Sequence, residues 1–146
     1  MWIPPETLQH WDITDADKAA LADLPVAVAP FFQADVQLEA TPMMRGGFYR
    51  IANDLGLDIG VSARGVFAVD PENEIPDVFV NSNVADLAEF LRETGLFQAA
   101  VAGMDDEEPV GLVGAMRERL ERRDPAAFAG DRTWWPLVFD QLEFPI

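Results

Sequence analysis

Phe48-Tyr49-Arg50-Ile51-Ala52-Asn53-Asp54-Leu55-Gly56-Leu57-Asp58-Ile59-Gly60-Val61 decides how this chain folds. Phe48 to Ala52 alternates: Phe48, Arg50 and Ala52 fall on one face, Tyr49 and Ile51 on the other, as on a half-buried strand. Asn53-Asp54-Leu55-Gly56 is a turn signature. Leu57, Ile59 and Val61 then point one way on a second strand. Downstream, Ala63-Arg64-Gly65 turns the chain into Val66-Phe67-Ala68-Val69, and Asp70-Pro71-Glu72-Asn73-Glu74 turns it again before Val78-Phe79-Val80. Upstream, Val36-Gln37-Leu38-Glu39-Ala40 alternates and Gly46-Gly47 turns. Strands this close in sequence pair antiparallel as a meander.

Helices flank the strand region. Thr14 caps a segment from Asp15 to about Asp23, whose apolar side is Ala19, Ala20, Leu21 and Leu24, and Pro25 ends it. Phe31 and Phe32 follow as core candidates. After the strands, Asn83 caps a helix carrying the stripe Val84, Leu87, Ala88 and Leu91. Pro109 opens the next, with Leu112, Val113, Met116 and Leu120 inward and Arg117, Arg119, Arg122 and Arg123 outward. Asp124-Pro125 stops it. Thr133 caps a last helix with Trp135, Val138, Phe139 and Leu142 inside. Helix, strands, then helices to the end describe an α+β fold: a mostly antiparallel meander flanked by N-terminal and C-terminal helices. The 146 residues, 49% of them apolar, suit one domain.

With 26 acidic and 10 basic residues the net charge is −16. A field of that sign repels phosphates and anionic lipid heads and draws cationic partners. It therefore argues against nucleic-acid and membrane binding, although it also serves solubility alone. There is no cysteine, the N-terminus Met1-Trp2-Ile3-Pro4-Pro5-Glu6 has neither a basic start nor an apolar run of signal-peptide length, and no window approaches the length of a membrane span. The expected compartment is the cytoplasm.

The search for chemistry is mostly negative. One histidine (His10) and two serines (Ser62 and Ser82) give a poor basis for a hydrolytic triad. Ser82 lies beside a helix cap, where a local backbone hydrogen bond is the ordinary role. Asp70, Glu72, Glu74 and Asp77 lack the glycine and the terminal glutamate of a calcium loop and read as a solvated turn. No nucleotide-binding glycine motif occurs and no His, Cys or carboxylate cluster has metal-ligand spacing, so no metal or cofactor is expected. The arginines from 117 to 123 alternate with Glu118 and Glu121, which reads as a helix face laced with local ion pairs.

Phe48 to Gly56, Asp58 to Val61, Gly65 to Asp70, and Phe79-Val80-Asn81-Ser82-Asn83 running into Leu87, Phe90 and Leu91 together resemble the SUKH superfamily of bacterial immunity proteins, in particular its fourth group. The leader Leu21 to Pro25 with Phe31, and the closing Trp134-Trp135 helix with Gln141-Leu142, are similar too. Asn83 departs from the pattern where a second serine is commoner, and Phe144-Pro145-Ile146 is an atypical end. The resemblance implies a non-enzymatic role: neutralising a polymorphic toxin, often a nuclease or a nucleic-acid deaminase, by binding it. The alternative is a scaffold or regulatory domain of the same fold with an endogenous protein partner. A carboxylate-dependent hydrolase is a third class, and would need a concave site. The candidate protein-binding residues are Asp70, Glu72, Glu74 and Asp77 in one turn, Asp105, Asp106, Glu107 and Glu108 in an acidic connector, and Trp134, expected to be partly exposed.

Overall fold

The computed structural model describes residues 5–23, 33–34, 47–54, 57–101, 108–130 and 132–143. Two N-terminal helices, α1 (Pro5–Gln9) and α2 (Asp15–Asp23), lead into strands β1 (Gln33–Ala34), β2 (Tyr49–Asp54), β3 (Leu57–Ser62), β4 (Gly65–Val69) and β5 (Val78–Asn81). Helices α3 (Val84–Val101) and α4 (Glu108–Arg123), a 3₁₀ turn over Pro125–Phe128, and α5 (Trp135–Glu143) follow. The strands form one antiparallel sheet in sequence order; β2 to β5 are the meander that the short turns dictate, and β1, where no strand is expected from the sequence, pairs Gln33 and Ala34 with Asn53 and Ala52 of β2. The expected strand at 36–40, the core candidates Phe31 and Phe32, and the helix end at Leu24 and Pro25 lie outside the described residues.

The sheet buries one face under the helices. Tyr49, Ile51, Ile59, Val61, Val66, Ala68 and Val80 share a core with Leu87, Phe90, Met116 and Trp135. The other face carries Phe48, Phe67 and Phe79, with ring centroids 5.2 and 5.3 Å apart and the Arg64 guanidinium 5.1 Å from the Phe48 ring. The alternation holds from Phe48 to Ile51. It breaks at a register shift between Arg50 and Ala52, and a second shift lies between Val66 and Phe67. Gly65 closes the β3–β4 turn at φ +129, where a Cβ would come within 2.8 Å of the Asn81 carbonyl oxygen.

Both sheet edges are short or covered. β1 spans two residues, and the segment before α5 runs parallel to β5: the Phe79 amide donates to the Arg132 carbonyl, and the Trp134 amide to the Phe79 carbonyl, each at 2.9 Å. The N-terminal segment closes the core from a different side. Trp11 stacks on Tyr49 at 4.6 Å, and the Asp12 amide donates to the Tyr49 hydroxyl at 2.9 Å.

The caps form as expected at α2 and α3: the Asp17 amide donates to Thr14 Oγ1 at 3.1 Å, and the Asp86 amide to Asn83 Oδ1 at 2.8 Å. Several expectations are corrected. A helical turn, α1, precedes His10, where no helix is expected from the sequence. Ala19 is exposed, and the inward residues of α2 are Leu21 and Asp17. Helix α4 starts at Glu108, so Pro109 takes its second position. Leu112 is 45% exposed, because Val113, Met116 and Leu120 set a narrower stripe that turns it to the rim. Thr133 caps no helix; its hydroxyl donates to the Gly130 carbonyl at 3.3 Å while its backbone bridges to β5.

Candidate functional site

The turn between β4 and β5 holds four of the candidate residues and is built around one of them. Asp70 Oδ1 accepts from the Glu72 amide at 2.9 Å, and Oδ2 from the amides of Glu74 and Ile75 at 2.9 and 3.2 Å. Asn73 stands at φ +58 to complete the turn. The Asp70 carboxylate is thus committed to shaping the loop. Glu72 and Glu74 face solvent beside Ile75, which is 44% exposed, and Asp77 is half-buried. The turn therefore presents two carboxylates around an apolar side chain on a fixed backbone.

The second candidate group is not brought to this turn by any described contact. Asp105, Asp106 and Glu107 lie outside the described residues, and Glu108 opens α4. Trp134 is a correction. It is only 7% exposed. Its amide is held by the β5 edge and its ring meets Trp135 edge-on at 4.7 Å, so it precedes α5 and joins the core.

The arginines of α4 are also arranged differently from the expected local pairing. Arg119 reaches Glu93 of α3 at 2.9 Å, Arg123 reaches Asp86 of α3 at 2.8 Å, and Arg117 reaches Asp140 of α5 at 3.7 Å. Arg92 pairs with Glu89 within α3, and that hydrogen bond, chiefly, holds the Glu89 carboxyl below its ordinary value. Cationic side chains are thereby tied to acidic ones across the α3–α4–α5 layer. Among the described residues neither Glu72 nor Glu74 has an ion pair, which leaves the β4–β5 turn strongly negative.

A buried polar cluster at the β5–α3 junction escaped the sequence reading. Asp124, 3% exposed, accepts from Asn81 Nδ2 at 3.0 Å, from the Ser82 amide at 2.9 Å and from Ser82 Oγ at 2.6 Å. Asn81 Oδ1 accepts from Trp135 Nε1 at 2.8 Å, and Asp17 Oδ1 accepts from the Val84 amide at 3.0 Å. Asn81 and Ser82 are therefore fastened to Asp124, just past the end of α4, and Asn81 to α5, while the first residue of α3 is fastened to α2. Ser82 is corrected accordingly: its hydroxyl serves a side chain 42 residues away, not a local backbone group.

His10 is exposed on the N-terminal segment, and Ser62 Oγ accepts from the Arg64 amide at 3.1 Å inside a turn. Among the described residues no group of three or more His, Cys, Asp or Glu side chains could hold a metal ion. Among them, too, no helix is long and apolar enough to cross a membrane.

No curated protein and no solved structure matches the chain. The sequence profile of the SUKH-4 immunity protein family does, over residues 1–141, and so takes in the meander, the Asn81-Ser82-Asn83 junction and the closing tryptophan helix. The chain belongs to the SUKH-4 immunity protein family.

Proposed function

We propose that this chain is a non-enzymatic cytoplasmic immunity protein that binds one bacterial polymorphic toxin domain, and that the toxin is cationic, a nuclease or a nucleic-acid deaminase. The observation that carries this reading is family membership over residues 1–141. The net charge of −16 gives it a mechanism. A toxin that works on nucleic acid must hold phosphates and presents a basic face. A polyanionic protein competes for that face and is steered to it by charge.

The β4–β5 turn is the contact we assign to that face, with Glu72 and Glu74 supplying charge and Ile75 an apolar anchor. The connector Asp105, Asp106, Glu107 and Glu108 is a second acidic contact in this proposal. Because Asp70 already orders the turn, little loop entropy is lost on binding. Neither nucleic acid nor membrane is a partner in this reading.

Co-expression with the toxin domain encoded beside it is the test. Survival of cells that otherwise die, with a one-to-one complex on purification, is the expected result. The association rate should fall steeply as salt rises, since the Debye length is about 8 Å at physiological ionic strength and about 3 Å at 1 M. Absence of both rescue and complex, with capture of a housekeeping protein instead, would transfer the fold to the scaffold reading.

A further inference from the structure

We infer that the end of the α3–α4 hairpin, residues 95–101 of α3 with residues 108–112 of α4, opens as one unit while the sheet and the rest of both helices stay folded. Burial sets its boundary. Val84, Leu87, Phe90, Leu91 and Thr94 of α3 are buried, and beyond Thr94 the described side chains of this helix are half-buried or exposed. On α4 the first buried side chain among those described is Val113, fully enclosed, and Leu112 before it is 45% exposed. Thr94 and Val113 are thus the described anchors nearest the end of the hairpin.

Three features weaken the hairpin past those anchors. Thr94 Oγ1 donates to the Phe90 carbonyl at 2.8 Å and to the Leu91 carbonyl at 3.2 Å, a back-bond that competes with the helical amide ladder and favours a bend. Gly95 follows at once, and Gly111 lies just before Leu112; a Cβ at either glycine would meet nothing within 4 Å. Packing therefore demands neither glycine, and each gives up helix stability that alanine would supply. The ion pairs Glu93–Arg119 and Asp86–Arg123, at 2.9 and 2.8 Å, tie α3 to α4 on the core side of both anchors. Little apolar burial among the described side chains opposes separation of the end: Phe97 is half-buried against the core, and Leu96 is 57% exposed. A segment with few buried contacts and weak helix formers opens at a lower free energy than the whole domain. Opening carries Leu96, Phe97 and Ala100 away from the cleft they line with Met116, which is only 1% exposed when the hairpin is closed.

Native-state amide hydrogen exchange on the full chain, followed by NMR through a series of low urea concentrations, tests this. The amides of residues 99–101 and 112 have their helical acceptors inside the unit. They should exchange about 100-fold or more faster than the slowest amides of the chain, which report global unfolding. They should also share one urea dependence, shallower than that of global unfolding. Gly95→Ala with Gly111→Ala should slow them by about 5-fold for each substitution. Ile59→Val, at a fully buried sheet position, should speed the slowest amides by about 2- to 12-fold and leave the hairpin end unchanged. Each variant is mild: alanine adds one methyl group in open space, and valine removes one from the core. Exchange at residues 99–101 and 112 as slow as the slowest amides would overturn the inference. So would rates there that rise with Ile59→Val as the slowest ones do, a fraying gradient with no urea dependence, or no slowing in the alanine variant.

Discussion

Replacing Asp124 with alanine should unfasten the β5–α3 junction. The carboxylate accepts three hydrogen bonds, from Asn81 Nδ2 at 3.0 Å, the Ser82 amide at 2.9 Å and Ser82 Oγ at 2.6 Å. Asn81 is fully buried, so its amide group would be stranded without water, at a cost of about 1–3 kcal/mol. Ser82 is exposed, so water can replace part of what its two donors lose, and about 1 kcal/mol for the pair is a fair allowance. The total is about 2–4 kcal/mol, a large share of the roughly 5–15 kcal/mol that holds a domain of ordinary stability. For a chain of this length it lowers the melting temperature by about 10 °C. Asp124→Asn keeps an acceptor for two of the donors, and the Ser82 hydroxyl can turn to accept from the new amide. It should cost about half as much. Urea denaturation followed by circular dichroism gives both values, with an unchanged slope showing that the native fold is retained. A melting temperature for Asp124→Ala within about 2 °C of the parent would refute the reasoning, because a stranded buried donor cannot be that cheap.

Three further outcomes are expected. Gly65→Ala should destabilise the chain by about 2 kcal/mol or more in the same urea assay, since φ of +129 disfavours any side chain and the new Cβ would lie 2.8 Å from the Asn81 carbonyl oxygen. The Glu89 carboxyl is held low in the folded state, first by its hydrogen bond to Arg92, so its contribution is present above the ordinary glutamate value and is lost as pH falls through the lowered folded value. Glu89→Gln should therefore narrow its stability gap to the parent as a denaturation series is carried into acid, and a gap that widens would contradict this. Glu72→Lys with Glu74→Lys should leave stability within about 0.5 kcal/mol, because both side chains face solvent, while slowing association with the toxin domain in a stopped-flow measurement.

The meander was legible because its signals are local. The strands from β2 onward are bounded by turn residues, and β3 and β4 appear where alternation and glycine place them, whereas β1 at Gln33–Ala34 carries no such signal. The caps at Thr14 and Asn83 were legible for the same reason, since a capping side chain serves an amide three residues away. What failed depends on partners far along the chain. Asp124 reads as a helix stop, and nothing in its neighbourhood announces an Asn81 partner 43 residues earlier. Trp134 was placed outside by helical geometry, yet it precedes α5, and the Phe79 carbonyl draws its backbone to the sheet edge. The α4 arginines offered partners within their own helix, but the packing of α3 beside α4 supplied Asp86 and Glu93. Of the candidate site, the turn from Asp70 to Asp77 could be found from composition, whereas Asp70's role as its organiser required the backbone.

These arrangements divide the molecule by charge, and the division follows from the packing. The α3–α4–α5 layer holds arginines 92, 117, 119 and 123 in pairs with acidic side chains, which offsets much of the negative charge of that layer. The β4–β5 turn has no such compensation for Glu72 and Glu74 and keeps its field. A cationic partner would then favour the turn over that layer, and rising salt would weaken its association. The junction at Asn81-Ser82-Asn83 lies between these regions in the chain: β5 leads into it from the acidic turn, and α3 leaves it into the paired layer. Loosening it at Asp124 should therefore disturb the layer and the turn at once, whereas the variants at 72 and 74 should disturb the turn alone. That contrast separates a rigid scaffold carrying two independent faces from one in which the faces are coupled.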